Sequence, residues 1–327
     1  MPLDHYVSQV HLKNFASPAL DGTKMYGVRK RDLRKFPCSP KDVCRIENGS
    51  TNAYLEHDRV IEEFLKEIEP RYNGAVEQLR NGRIDHDCVY VIAGFVAYVG
   101  SCAPAAMRLL SDTLRHPVAV TAGILERRGD LPPVPPELGG GSLSDLLQTG
   151  RVNIEIDGKY PQAIGISSIL DLVARFGNFH WEVLINTEEN SPYFTSDFPV
   201  TFEKTQDPRI LNRVVPLAPD LAIRIRPMLD SERADRDINF RHFRYRIRKP
   251  KLDEIRGINA LIVQCSEELV FYRDEHDWIA RFIAKNQRYR LEPKTQRIAV
   301  DNKDFLWSTV SVQPVAAPAS HTDGATT

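Results

Sequence analysis

A chain of 327 residues with 42% hydrophobic and 27% charged positions has the composition of an ordinary soluble globular protein and is long enough to bury a sizeable core as one large domain or two. Its formal net charge of -1 argues against a generally basic nucleic-acid binder and leaves such a partner only a local basic face. The start MPLDHYVSQVHLKNF has no basic segment leading into an apolar one, and no apolar run approaches a membrane span. The five cysteines (Cys38, Cys44, Cys88, Cys102, Cys265) are scattered, without a CxxC pair. They suit reduced thiols better than a disulfide framework or a zinc knuckle, so the expectation is a cytoplasmic protein with no membrane partner.

In chain order, residues 3–15 fit no single period, with Tyr6, Val10 and Phe15 as core candidates, His5 at the start of the element and Gln9 one helical turn on. Gly22 to Arg29 reads as a short strand burying Met25 and Val28, and Lys30, Arg31, Arg34 and Lys35 as a solvated loop. Ser39-Pro40 is a plausible helix start. From Arg59 to Leu79, Ile61, Phe64, Leu65, Ile68, Tyr72, Ala75, Val76 and Leu79 form a helical stripe, with Asp58 as N-cap, Pro70 as a bend and Asn81-Gly82 as the end. Glu62 and Glu69, seven residues apart, share a flank of that stripe. A second helix, Asp85 to Ser101, is apolar nearly all round and therefore central, and a third runs from Pro104 to Arg127.

Leu131 to Ser144, with four prolines and three consecutive glycines, is a linker or a lid. Helical period returns from Tyr160 to Phe176. Trp181 to Val200 reads as a hairpin whose second arm delivers Thr195-Ser196-Asp197 and stops at Pro199. Arg213 to Ile225 reads as two short strands broken at Pro216 to Pro219, and Asp230 to Asp237 as a charged loop. Leu252 to Leu269 is an amphipathic helix, Val270 to Tyr272 a strand, and Trp278 to Ile283 a final helix. The end beyond Pro314 reads as a disordered tail. The expected fold is α+β, a helical N-terminal half packed on a small, mostly antiparallel sheet from the C-terminal half. It forms one domain over 1–313 with a tail at 314–327.

Several of these pieces together resemble a bacterial domain-of-unknown-function family, number 4238. They are His5-Tyr6-Val7-Ser8-Gln9 with Leu12-Lys13-Asn14-Phe15, the stretch Leu65 to Glu69, Thr195 to Val200, Pro216 to Ala222, and Ile258-Asn259. The likeness covers about residues 3–285 in the family's order and departs at Ser8, where the family usually has proline. It implies no activity, but it singles out His5, Gln9, Glu69, Asp197 and Asn259.

The sharpest expectation is that His5, Glu69 and Asp197 converge. Glu69 and Asp197 would then hold Mg²⁺ or Mn²⁺ and direct a water at a phosphodiester, or the trio would act as a metal-free acid/base site, with Gln9 and Asn259 orienting. Against it, Glu69 pairs with Arg71 or Arg108, His5 is a satisfied core histidine, and Ser196 and Asp197 bond their own turn. In RHFRYRIRKPK, Arg244, Arg246 and Arg248 share one strand face and, with Ser196, would bind phosphate; the alternative is a charged edge strand. Gly139-Gly140-Gly141 lacks the lysine of a phosphate-binding loop and there is no GxSxG, so no nucleotide cofactor is expected. The leading functional expectation is a metal-dependent phosphodiesterase or nuclease acting on nucleic acid. The alternatives are a non-enzymatic sensor or interaction module and a small-molecule enzyme using the same polar pocket.

Overall fold

The computed structural model describes residues 2–228, 236–300 and 303–315, with side chains outside 296–306. The chain opens with β1 (Leu3–His5), α1 (Gln9–Lys13), β2 (Met25–Arg29), β3 (Lys35–Cys38) and β4 (Arg45–Glu47). Helices follow: α2 (Val60–Asn81), α3 (His86–Cys102), α4 (Pro104–Arg128), α5 (Leu143–Gln148), α6 (Lys159–Ser167) and α7 (Ile169–Gly177). Then come β5 (His180–Ile185), β6 (Thr195–Ser196), β7 (Thr201–Lys204), β8 (Leu211–Ala218), β9 (Leu221–Arg226) and β10 (Arg244–Arg248). The chain closes with α8 (Leu252–Cys265), β11 (Leu269–Tyr272), α9 (Asp277–Asn286), β12 (Tyr289–Val300) and β13 (Lys303–Pro314). Among these residues no single helix is long and apolar enough to cross a membrane.

The architecture is α+β, but strands run throughout, so the expected division into a helical half and a sheet half does not describe it. One sheet has the order β10-β5-β9-β8-β7, antiparallel except for the parallel pair β10–β5. The other, β3-β2-β11-β6, is antiparallel and joins strands from both ends of the chain. The helix that is apolar all round, α3, is the centre: Val89, Ile92, Phe95, Val96 and Val99 are buried among α2, α7 and the inner face of the five-stranded sheet. Gly94 lets α2 approach, since a Cβ there would stand 2.5 Å from Ile68 Cδ1.

Several expected boundaries move. Pro40–Asp42 is a single 3-10 turn rather than a helix start, because no apolar stripe follows and Cys44 takes the left-handed region at φ 55°. The long helix begins at Val60, capped by Arg59 without a side-chain bond, while the Asp58 carbonyl accepts from Asn52 N at 2.7 Å. It runs through Pro70 as one element. The helix expected over Tyr160 to Phe176 is two, meeting at Ser168. Strand β8 runs through Pro216, which sits at a register shift where the ladder is already irregular, so only Pro219-Asp220 breaks the pair. Lys30, expected in a solvated loop, is buried at 6% exposure, its ammonium bonding Ser266 O at 2.6 Å and Tyr289 O at 2.9 Å. The β12–β13 hairpin was not anticipated. Of the expected charged loop, 230–235 lie outside the described residues, as does the tail from 316.

The largest departure concerns Trp181 to Val200. Its two apolar runs do not form a hairpin: β5 lies in the five-stranded sheet and β6 in the four-stranded one. The part of the intervening stretch from Ser191 to Phe194 is buried and must find partners for its backbone elsewhere. Asn259 of α8 supplies two, its Oδ1 accepting from Phe194 N and its Nδ2 donating to Pro192 O, both at 2.9 Å. Tyr193 N donates to Pro219 O at 2.9 Å. Asn259→Ala would strand one buried donor and one buried acceptor. Urea unfolding should show a loss of about 2–4 kcal/mol, and a loss below 1 kcal/mol would refute the clamp.

Candidate functional site

Asp197 follows β6, and its backbone N donates to Leu269 O at 3.1 Å. Its carboxylate, 5% exposed, reaches the turn between α8 and β11: Oδ1 accepts from Glu267 N at 3.0 Å, and Oδ2 from Glu268 N at 2.7 Å and Leu269 N at 2.9 Å. Burial pushes its pKa up to about 6, against the three amides and nearby Lys30, which favour the ionised form. Three of roughly four lone-pair positions on the carboxylate are therefore taken by backbone. Ser196 bonds its own turn, Oγ accepting from Phe198 N at 3.1 Å, as the plainer reading of the sequence held. Asp197 instead bonds a backbone seventy residues away. Asn259, expected to orient a substrate, is fully buried and engaged in the clamp.

Gln9 lies beside His5, and Glu69 is within electrostatic reach of it. Gln9 Nε2 stands 3.5 Å from His5 Nδ1, and Tyr98 of α3 donates its hydroxyl to the His5 carbonyl, fixing the backbone on which the imidazole sits. Burial lowers the His5 pKa below 6.5. The carbonyls of Lys41 and Pro40 oppose this, Arg45 adds to it, and the Glu69 carboxylate is close enough to raise the value. His5 Nε2 is shielded from solvent, and the Lys41 and Pro40 carbonyls are the backbone groups next to the ring. Glu69 is half-buried on the flank of α2. Neither arginine expected to pair with it does so: Arg71 bonds Glu67 O and approaches Asp87, and Arg108 holds Glu267, Glu292 and Asp112. Among the described residues Glu69 has no hydrogen bond or ion pair.

The same residues do not fit a metal. Among the described residues no three His, Cys, Asp or Glu side chains are grouped to hold an ion. The pair assigned to Mg²⁺ or Mn²⁺ is divided, because Asp197 is committed to the 267–269 amides while Glu69 lies within electrostatic reach of His5. All five cysteines are free and buried.

Strand β10 is an edge strand, and Arg246 and Arg248 do share a face, but they point at acids. Glu182, in the middle of β5 with a side chain 2% exposed, accepts from Arg224, Arg226, Arg246 and Arg248. Burial alone would raise its pKa; the four guanidiniums outweigh that and hold the carboxyl well below its ordinary range. Arg224 also forks onto Glu203 at 2.7 and 2.8 Å, and Arg248 bonds Glu254. Arg244 turns back to the carbonyls of Arg241 and Phe243. The row expected to meet phosphate is thus largely engaged within the protein. The signal for it was an acid inside the apolar run WEVLI, since a buried carboxylate demands cations.

A second polar group had no sequence signal. His11 is fully buried, stacked on Phe95, with Nδ1 2.8 Å from the Tyr72 hydroxyl and Nε2 2.8 Å from Thr195 Oγ1. Burial drives its pKa down to about 3. Below pH 6.5 the unfolded chain binds a proton there that the folded chain refuses, so this stability is complete above 6.5 and lost as pH falls toward 3. Between pH 7 and 4, wild type should lose roughly 3 kcal/mol relative to His11→Gln in urea titrations; parallel pH profiles would refute it. Asp197→Asn places an amide NH₂ against backbone N–H donors and should cost about 2–4 kcal/mol. An unchanged melting temperature would show that the carboxylate does not hold the turn.

No curated protein and no solved structure matches the chain. A family model, described as Protein of unknown function (DUF4238), matches residues 4–108 and 140–276. The matched segments contain His5, Gln9, Glu69, Glu182, Asp197, the β10 arginines and Asn259 and skip 109–139. The match spans well over half of the sequence, and on it the chain belongs to the DUF4238 family.

Proposed function

We propose that the protein is a metal-independent hydrolase for a small polar molecule, with its acid/base pair at His5 and Glu69. The observation that carries this reading is the contrast among the residues singled out together. Asp197 and Asn259 give their polar groups to the fold, while the Glu69 carboxylate has no hydrogen bond or ion pair among the described residues and lies within electrostatic reach of the His5 imidazole. A neutral imidazole beside a carboxylate takes a proton from water and returns it to a leaving group, chemistry that needs no bound metal. Gln9 Nε2 donates to His5 Nδ1 at 3.5 Å, so the neutral ring carries its proton on Nε2 and Nδ1, on the Gln9 side, is the nitrogen that can accept a proton. Phosphodiester hydrolysis through Mg²⁺ or Mn²⁺ on Glu69 and Asp197 is less well supported, because Asp197 has given its carboxylate to backbone.

The test is turnover of chromogenic ester and phosphodiester probes in EDTA. His5→Asn and Glu69→Gln should each lower kcat/KM by about 10²- to 10⁴-fold, with the melting temperature of Glu69→Gln near wild type because that carboxylate bonds nothing among the described residues. Since the His5 pKa is lowered from 6.5, the rate should stay level at pH 7 and fall only on an acid limb below 6.5. Turnover that survives both substitutions, or that returns only when Mn²⁺ is added, would remove the basis for the assignment.

A further inference from the structure

Strands β10, β5 and β9 set their outward side chains in cross-strand rows. One row places Arg246, Glu182 and Arg224 side by side, and the row before it Arg244, His180 and Arg226. The first contains an acid between two cations. The second contains none.

Glu182 does not need all the cations around it. Arg224 and Arg248 bond its Oε2 at 2.7 and 2.9 Å, and both are also held by Glu254. Arg226 Nη1 and Arg246 Nη2 then share the other oxygen, Oε1. Two nitrogens bonded to one oxygen stand no more than about 6 Å apart, so two like charges are held close together. Across the cluster four guanidiniums meet three carboxylates, Glu182, Glu203 and Glu254. The excess falls on Arg226 and Arg246, whose side chains are 47% and 55% exposed. A guanidinium has five N–H donors, and among the described residues each of these two uses only the one directed at Glu182.

His180 adds an independent observation. It alternates with Glu182 onto the same face of β5, and its Nε2 is shielded from solvent without a partner. Its electrostatic neighbours are Arg246, Arg226 and Glu182. An unsatisfied nitrogen flanked by two underused guanidiniums lacks an acceptor with several oxygens and negative charge.

We infer that Arg226, Arg246 and His180 form a binding site for a phosphate group on the outer face of the five-stranded sheet. A phosphate group offers an oxygen to each guanidinium, with His180 beside them, and its charge relieves the repulsion between the two cations. Arg244 stands at the end of the same row, while Arg224 and Arg248 keep Glu182 neutralised beneath. The site stands apart from His5 and Glu69 and does not depend on their role.

Calorimetric titration with inorganic phosphate at constant ionic strength tests it, with sodium chloride as control. Wild type should bind saturably, and Arg226→Gln/Arg246→Gln should bind at least tenfold more weakly with an unchanged circular-dichroism spectrum, since Arg224 and Arg248 still neutralise Glu182. Should the double variant fail to fold, Arg246→Gln alone, on the exposed edge strand, and His180→Gln give the same reading. No saturable binding by wild type, or equal binding by the folded variants, would overturn the site. Adenosine monophosphate and a single-stranded oligonucleotide separate the sources. Tighter, salt-sensitive binding of the oligonucleotide, lost in the variants, assigns a nucleic-acid backbone; equal binding of monophosphate and phosphate assigns a small metabolite.

Discussion

The structure depends on how the buried stretch from Pro192 to Asp197 satisfies its polar groups. It crosses from one sheet to the other with only Thr195 and Ser196 in a ladder, so its remaining backbone groups have no regular partner. Each is met by a different part of the chain: Asn259 at Pro192 and Phe194, Pro219 O at Tyr193, and Leu269 O at Asp197. Side chains extend the pattern, with Thr195 bonded to His11 and Asp197 to the 267–269 amides. An unmet buried group costs about 1–3 kcal/mol, so the five connections act as stitches that fix the N-terminal segment, β8–β9, α8 and β11 against one another. Residues that look catalytic in sequence because they are polar and widely separated are polar here because they join widely separated elements.

That accounts for what could be read beforehand. Periodicity reports burial on one element, and where burial on one element decides the structure it was sufficient: the α2 stripe, the all-apolar α3 and α8 are where the pattern places them. It does not report which sheet a strand joins. Trp181 to Ile185 and Tyr193 to Val200 have the alternation and intervening turn of a hairpin, and nothing local shows that the second run pairs with β11 instead. The β12–β13 pair was missed for a related reason. Its residues alternate Tyr289, Leu291 and later Val310, Val312 with polar neighbours, but nothing local joins the two runs, and the stretch stood inside the expected domain without an assigned element.

The candidate site divides along the same line. Lone arginines in sequence look like free charge, but a strand displays its side chains to the strands beside it, and β10 lies parallel to one carrying Glu182. Register decides the outcome: Arg246 falls opposite Glu182, Arg244 falls opposite His180, and only the latter row lacks an acid. The strand is a charged edge, and the phosphate proposal rests on the row that lacks an acid. That charge protects the edge, and by overcompensating one buried acid it leaves donors directed outward.

Position rather than the supply of counter-charge also decides the fate of the two acids on α2. Glu62 and Glu69 sit two turns apart on one flank. Arg59, three residues before Glu62, folds back onto it and also reaches Asp4. Glu69 has Arg71 close in sequence, but residues two apart on a helix point in different directions, and Arg71 turns to Glu67 O and Tyr90. What lies within electrostatic reach of Glu69 is instead the end of β1, where His5 has one ring nitrogen facing Gln9 and the Lys41 and Pro40 carbonyls nearby. A carboxylate left without an ion pair, within electrostatic reach of an imidazole, does little for stability, and the proposal of proton transfer between the two starts from that placement. The reading of His5 and Glu69 as the working pair rests on that asymmetry.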